Sequence, residues 1–126
     1  MLIPSSASDV LRRFDHFNDS ILGAISVDYA ERTLPHIQIT LTCQDDDADE
    51  PTWRSCRIYF HNVREFRIEQ RANSTQSVIS FGIAITIEGG ITFVDFDCLG
   101  DTERTVEQVR SSDFYIGAER VDFSVI

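Results

Sequence analysis

VISFGIAITIEGGITFVDFDC, residues 78–98, decides the fold, because two apolar runs flank Gly89-Gly90 and together read as one β-hairpin. A two-residue Gly-Gly loop accepts the positive φ angles of a primed turn. That loop sets Ile87 opposite Thr92, Ile85 opposite Val94, Ile83 opposite Phe96 and Phe81 opposite Cys98. Opposed residues share a face. One side then carries these eight residues, and the other carries Gly82, Ala84, Thr86, Glu88, Ile91, Phe93, Asp95 and Asp97. A slip of one residue scrambles the sorting.

The same period of two recurs upstream. In residues 36–43, Ile37, Ile39, Leu41 and Cys43 alternate with His36, Gln38, Thr40 and Thr42. Residues 53–60 return as a partner strand. Pairing Ile39 with Ile58 collects Ile37, Leu41, Cys43, Cys56 and Phe60 on one face, with Arg54 at its edge. The opposite face then holds Ser55, Arg57, Tyr59 and His61 beside the polar residues of the first strand. Residues 21–31 read as an earlier strand, with Ile21, Gly23, Ile25 and Val27 on one side. Residues 64–71 read as a separate strand around Phe66 and Ile68. Residues 121–126 read as a final strand.

Residues 104–110 suit a strand or a short helical segment equally, and residues 114–118 a short strand or irregular piece. At the start, Ser5-Ser6-Ala7-Ser8-Asp9 offers N-caps before Val10, Leu11, Phe14 and Phe17, whose spacing suits about one or two helical turns. The fold class is α+β: one domain over residues 1–126, mainly antiparallel β-sheet of about six to eight strands, with a short N-terminal helix. The expected core is Phe14, Ile21, Ile25, Ile39, Leu41, Ile58, Phe60, Phe66, Ile83, Ile85, Val94, Phe96, Phe123 and Val125.

A chain of 126 residues buries roughly two-thirds of its extended surface, enough for a core without metals or disulfides. Its formal charge is −10, from 21 acidic and 11 basic residues, all of the latter arginine. Such a balance repels nucleic acid and anionic membrane and attracts a basic partner. Cys43, Cys56 and Cys98 are odd in number and lack C-x-x-C or zinc-ligand spacing, so they read as buried free thiols in a reducing cytoplasm. Met1-Leu2-Ile3 runs at once into Pro4 and serines, and no signal segment or membrane span is expected.

Asp45-Asp46-Asp47-Ala48-Asp49-Glu50 lacks the central glycine and distal glutamate of a calcium loop. It reads as a solvated hairpin tip or as an acidic lure, with Trp53 as a rigid contact beside it. Asp95 and Asp97 face the small residues Ala84 and Gly82, which leaves room for an incoming basic side chain. Paired carboxylates also suit acid/base chemistry, and an internal salt bridge to an arginine is the plainer alternative. His36 and His61 fall side by side but lack a third zinc ligand. Asp15, His16 and Ser20 supply triad residue types without a nucleophile elbow. No catalytic residue, metal site or cofactor is expected.

Three stretches carry a resemblance: FDHFNDSIL at residues 14–22, IQITLTC at 37–43 followed by the acidic loop and W-x-x-C-x-I-x-F at 53–60, and SSDFYIGAERVDFSV at 111–125. Together they resemble small bacterial immunity proteins associated with polymorphic toxins. The resemblance implies a cytoplasmic β-rich domain that binds and neutralises a toxin and has no enzymatic activity. The expected partner is a basic protein, met by Asp45, Asp46, Asp47, Asp49, Glu50 and Trp53, with Asp95 and Asp97 second. The alternatives are a small hydrolase using Asp95 and Asp97, and a structural module that forms a homodimer.

Overall fold

The structure is a computed structural model that describes residues 4–29, 33–46, 52–72, 76–80, 82–98 and 104–126. Helix α1 (Pro4–Arg13) leads through a single 3-10 turn (Asp15–Phe17) into β1 (Ser20–Asp28). Then come β2 (His36–Asp45), β3 (Thr52–Ile68), β4 (Val78–Ile79), β5 (Ala84–Glu88) and β6 (Ile91–Asp95). A short helix α2 (Val106–Arg110) precedes β7 (Phe114–Val125). The strands form one seven-stranded sheet in the order β4-β1-β2-β3-β7-β6-β5. All neighbours are antiparallel, and the sheet curls into a half-barrel.

The Gly-Gly hairpin forms in the expected register, with Ile87 opposite Thr92, Ile85 opposite Val94 and Ala84 opposite Asp95. Gly89 and Gly90 have φ of 60° and 77°, the left-handed angles a primed turn requires. The ladder stops one pair before Ile83 and Phe96, because their amides are used elsewhere. The Ile83 amide donates to the His16 carbonyl at 2.9 Å and the Phe96 amide to the Phe114 carbonyl at 2.9 Å. Phe81 and residues 99–101, expected as a strand residue and a turn, lie outside the described residues.

The β2–β3 hairpin also has the expected register, Ile39 opposite Ile58. Two segments are longer than the sequence suggests. β3 absorbs most of the strand read separately at 64–71, and β7 joins the pieces read at 114–118 and 121–126. Asn62 at φ 54° and a bulge between Val63 and Glu65 let β3 bend without breaking. The irregularity brings Val63 into the core, whereas Phe66, expected inside, is 37% exposed although it lies opposite Ile116 on the core side.

In β1 a bulge does turn an expected core residue outward. A bulge between Leu22 and Ala24 sets Leu22 opposite Leu41 and Ile25 opposite Ile39. Both then pack on the core, whereas Ile21, expected inside, is 50% exposed. An inserted residue reverses inward and outward positions on one side of the bulge.

The inner face is covered by α1. The Phe14 and Phe17 rings stack at 5.6 Å and contact Phe123 at 4.9 and 5.6 Å. The helix starts at Pro4, a residue suited to the first turn, so the serines read as caps lie inside it. Its exit is unusual, since Asp15, His16, Phe17 and Asp19 all have φ between 52° and 59°. A phenylalanine there is strained. α2 is the helical alternative at residues 104–110, closed by a capping box in which the Thr105 hydroxyl accepts from the Gln108 amide. It sits on the outer side of β6 and β7, over Phe93 and Tyr115.

Gly82 locks the α1 exit to the hairpin. Its φ is +74°, and a methyl group there would strike the His16 carbonyl oxygen and approach Asn18 Oδ1 to 2.8 Å. Gly89 has a similar φ and open space around it. Gly82→Ala is therefore expected to cost more than about 3 kcal/mol in urea unfolding, and Gly89→Ala about 1 kcal/mol. Equal losses would show that backbone angle alone, not the contact with His16, sets the requirement.

Candidate functional site

The carboxylates singled out in the sequence divide into two groups. Asp45 is the last inward residue of β2, in series with Ile37, Ile39, Leu41 and Cys43. It is 1% exposed. Arg13 grips it with two hydrogen bonds of 3.0 Å, Nε to Oδ1 and Nη2 to Oδ2, and Arg54 Nε reaches Oδ2 at 2.8 Å. Asp45 is therefore no surface lure, because strand parity turns it inward and two arginines of the same chain take its charge. Asp46 is exposed, and its Oδ1 accepts from Gln44 Nε2 at 3.0 Å. Asp47, Asp49 and Glu50 lie outside the described residues.

Asp95 is also internal and fully buried. Its Oδ1 accepts from Ser112 Oγ at 2.7 Å and from the Asp97 amide at 2.9 Å. Its Oδ2 accepts from Arg104 Nη1 at 2.9 Å. The space opposite Ala84 is filled by the chain's own arginine and serine. Asp97 is half-buried, with its carbonyl facing Arg104 Nη1 at 3.5 Å. Both Asp95 oxygens are engaged and closed to solvent, so the pair does not present two open carboxylates to a substrate or partner. The internal salt bridge is what the structure shows.

Among the described residues, the surface left open is the outer side of β1, β2, β3 and the C-terminal half of β7. The β registers arrange it in rows. Asp28 lies opposite His36, and the His36 and His61 rings meet edge to face at 5.2 Å. His61 lies opposite Arg120, and Tyr59 opposite Asp122. His61 Nε2 is 2.8 Å from Asp122 Oδ2, which also accepts from Arg120 Nη2 at 2.9 Å. A shallow cavity of about 290 Å³ opens among Ser26, Asp28, His36, Gln38, Tyr59 and His61. The two histidines are neighbours, as the sequence implies, and Asp122 joins them. Arg120 stands 3.3 Å from His61 Nε2, and a cation there opposes a metal. Among the described residues no group of three or more His, Cys, Asp or Glu is placed to hold a metal ion.

The other end of this face is apolar. Trp53 stands opposite Gln44, Ile21 opposite Thr42, and Val78 beside Ile21. The Ile126 amide bonds the Ser55 carbonyl at 2.9 Å, completing the row. Trp53, Val78 and Ile126 are 53%, 47% and 61% exposed. Four large apolar side chains thus ring Thr42 and Ser55. Sequence alternation found Trp53 but assigned Ile21 to the core; Gly23 beside the bulge is the signal that places Ile21 outside.

No protein-family model, curated protein or solved structure matches the chain. No described helix is long and apolar enough to cross a membrane.

The two neighbouring aspartates give a sharp contrast. Asp45→Ala leaves Arg13 and Arg54 without their shared anion. Both arginines are half-exposed, so water compensates in part, and the expected loss is about 2 kcal/mol. Asp46→Ala should change stability by less than about 0.5 kcal/mol. Urea midpoints of the two variants check this.

Burial pushes the Asp95 carboxyl above its ordinary range, against the opposing Ser112 and Asp97 hydrogen bonds and the Arg104 charge. The folded state then holds this proton more tightly than the unfolded chain. The resulting stability is present below about pH 4 and is lost as pH rises through the raised folded value. Asp95→Asn removes this titration. The stability of the parent relative to Asp95→Asn should fall between pH 4 and pH 7, read from urea curves of both proteins. A difference that rises with pH contradicts the account.

Proposed function

We propose that this chain is a non-enzymatic binding protein that neutralises a basic toxin domain in the cytoplasm by docking it on the open sheet face. The observation that carries the reading is the exposed quartet of Trp53, Ile21, Val78 and Ile126 on a face that neither helix covers. Grouped apolar side chains on a folded surface mark contact sites more often than scattered ones do. A half-exposed tryptophan is a favoured anchor in such contacts.

Charge supports the choice of partner. The chain carries −10 even though Asp45 and Asp95 are neutralised internally. Asp46, Asp47, Asp49 and Glu50 precede Trp53 in the sequence. Such a run raises the encounter rate with a cationic protein, while the apolar anchors slow release. The engaged oxygens of Asp95 weigh against the hydrolase alternative.

The test is co-expression with a basic toxin domain encoded beside the gene, followed by binding kinetics of the pair. The parent chain should restore growth. Trp53→Ala should weaken binding about 30-fold, mainly through faster dissociation. Neutralising Asp46, Asp47, Asp49 and Glu50 together should slow association and flatten its salt dependence. Failure of the parent to protect or bind at low salt would overturn the function, and unchanged kinetics in both variants would overturn the face.

A further inference from the structure

The molecule holds a chemical feature that docking does not use. Cys43 is the inward β2 residue next after Leu41, and Cys56 is the β3 residue opposite Leu41. The two thiols are diagonal neighbours on the inner face, each fully buried. Their sulfurs lie 2.7 Å apart. Both thiols also approach the Arg54 carbonyl, 3.7 Å from Cys43 Sγ and 3.8 Å from Cys56 Sγ. The third cysteine, Cys98, lies apart, with its thiol on the Gly82 carbonyl at 3.5 Å.

We infer that Cys43 and Cys56 form a reactive dithiol that a peroxide oxidises to an intramolecular disulfide. The inference stands apart from the docking proposal. The sulfurs need to close only from 2.7 Å to about 2.05 Å. Their shared hydrogen bond splits the two acidities. It lowers the pKa of Cys56, against the effect of burial, and raises that of Cys43, which keeps the proton. The guanidinium groups of Arg13 and Arg54 also favour a Cys56 thiolate, while the Asp45 carboxylate between them opposes it. Thiolate character makes Cys56 the first sulfur to react.

The chemistry balances. Cys56 sulfur attacks one peroxide oxygen, an S–O bond forms and the O–O bond breaks. The departing hydroxide takes up a proton and leaves as water, with Cys56 as a sulfenic acid. Cys43 sulfur then attacks Cys56 sulfur. The S–S bond forms, the S–O bond breaks, and the hydroxyl leaves with the Cys43 proton as a second water. Two thiols and one hydrogen peroxide become one disulfide and two waters. Both sulfurs are enclosed, so entry depends on local opening of the β2–β3 end, where the Asp45 ion cluster holds α1 to the hairpin. The new bond would close the segment 43–56, which carries the acidic run and Trp53.

The experiment uses the reduced full chain and hydrogen peroxide. After treatment the protein is denatured, alkylated and weighed intact, then digested with trypsin. Cleavage after Arg54 separates the two cysteines into peptides 33–54 and 55–57. The expected result is loss of two hydrogens, one alkylatable thiol instead of three, and a cross-link between those two peptides that a dithiol reductant reverses. Cys98→Ser should leave the cross-link intact. Three thiols still open to alkylation, a bridge to Cys98, or an oxygen adduct on one cysteine without a bridge would overturn the inference. The parent's peptide map decides the matter even where a cysteine variant fails to fold.

Discussion

The contact on which the half-barrel depends is the packing of Phe14 and Phe17 against Phe123. A curved sheet has an inner face that must be shut from water, and here a ten-residue helix does it. A helix of that length is marginal by itself, so its rings hold it in place. Seating both Phe14 and Phe17 inward, three residues apart across the helix end, forces the chain through consecutive left-handed residues. Left-handed non-glycine residues are strained, and burial of the two rings offsets part of that strain. The turn in turn dictates Gly82, because the His16 carbonyl occupies the place of a side chain there.

The same parity that builds the core decides the fate of the acidic residues. β2 alternates without interruption from Ile37 to Asp45, so the first aspartate of the acidic run is carried inside along with four apolar residues. A buried carboxylate is tolerated when its lone pairs are used. Arg13, at the end of α1, and Arg54, across the hairpin, supply the donors. The ion cluster and the phenylalanine stack therefore fasten the same helix at its C-terminal end. Arg13 adds its guanidinium over the Phe14 ring at 4.8 Å. Asp95 repeats the solution on the far side of the sheet with Arg104 and Ser112.

Strict alternation and the Gly-Gly loop made the two hairpin registers legible from the residues alone, since pairing Ile39 with Ile58 and Ile85 with Val94 gathers the alternating apolar residues of both strands on one face. Three features were not legible. The bulges at residues 22–24 and 63–65 each add one residue, and period-two reasoning has no marker for an insertion except the weak one of Gly23. The continuity of β3 through Asn62 depends on a long partner, β7, lying beside it. The partners of Asp45 and Asp95 come from residues 32 and 9 positions away, and charge composition alone does not say which of eleven arginines arrives. The proposed contact face was half-visible: Trp53 stood out, while Ile21, Val78 and Ile126 meet only through the order β4-β1-β2-β3-β7.

The bulge in β1 links stability to the open face. With uninterrupted alternation Ile21 would share the side of Ile25, and Leu22 would point to solvent. The inserted residue sends Leu22 to the core against Leu41 and leaves Ile21 outside between Val78 and Thr42. One local change in phase therefore gives the core its leucine and the outer face its isoleucine. A protein that needed only a closed core would gain nothing by showing Ile21 beside Trp53, Val78 and Ile126. Water penalises that grouping unless another surface comes to cover it. The polar end of the face, with His61, Asp122 and Arg120 bonded among themselves, is already satisfied, so the uncovered apolar area of this face is concentrated at the other end.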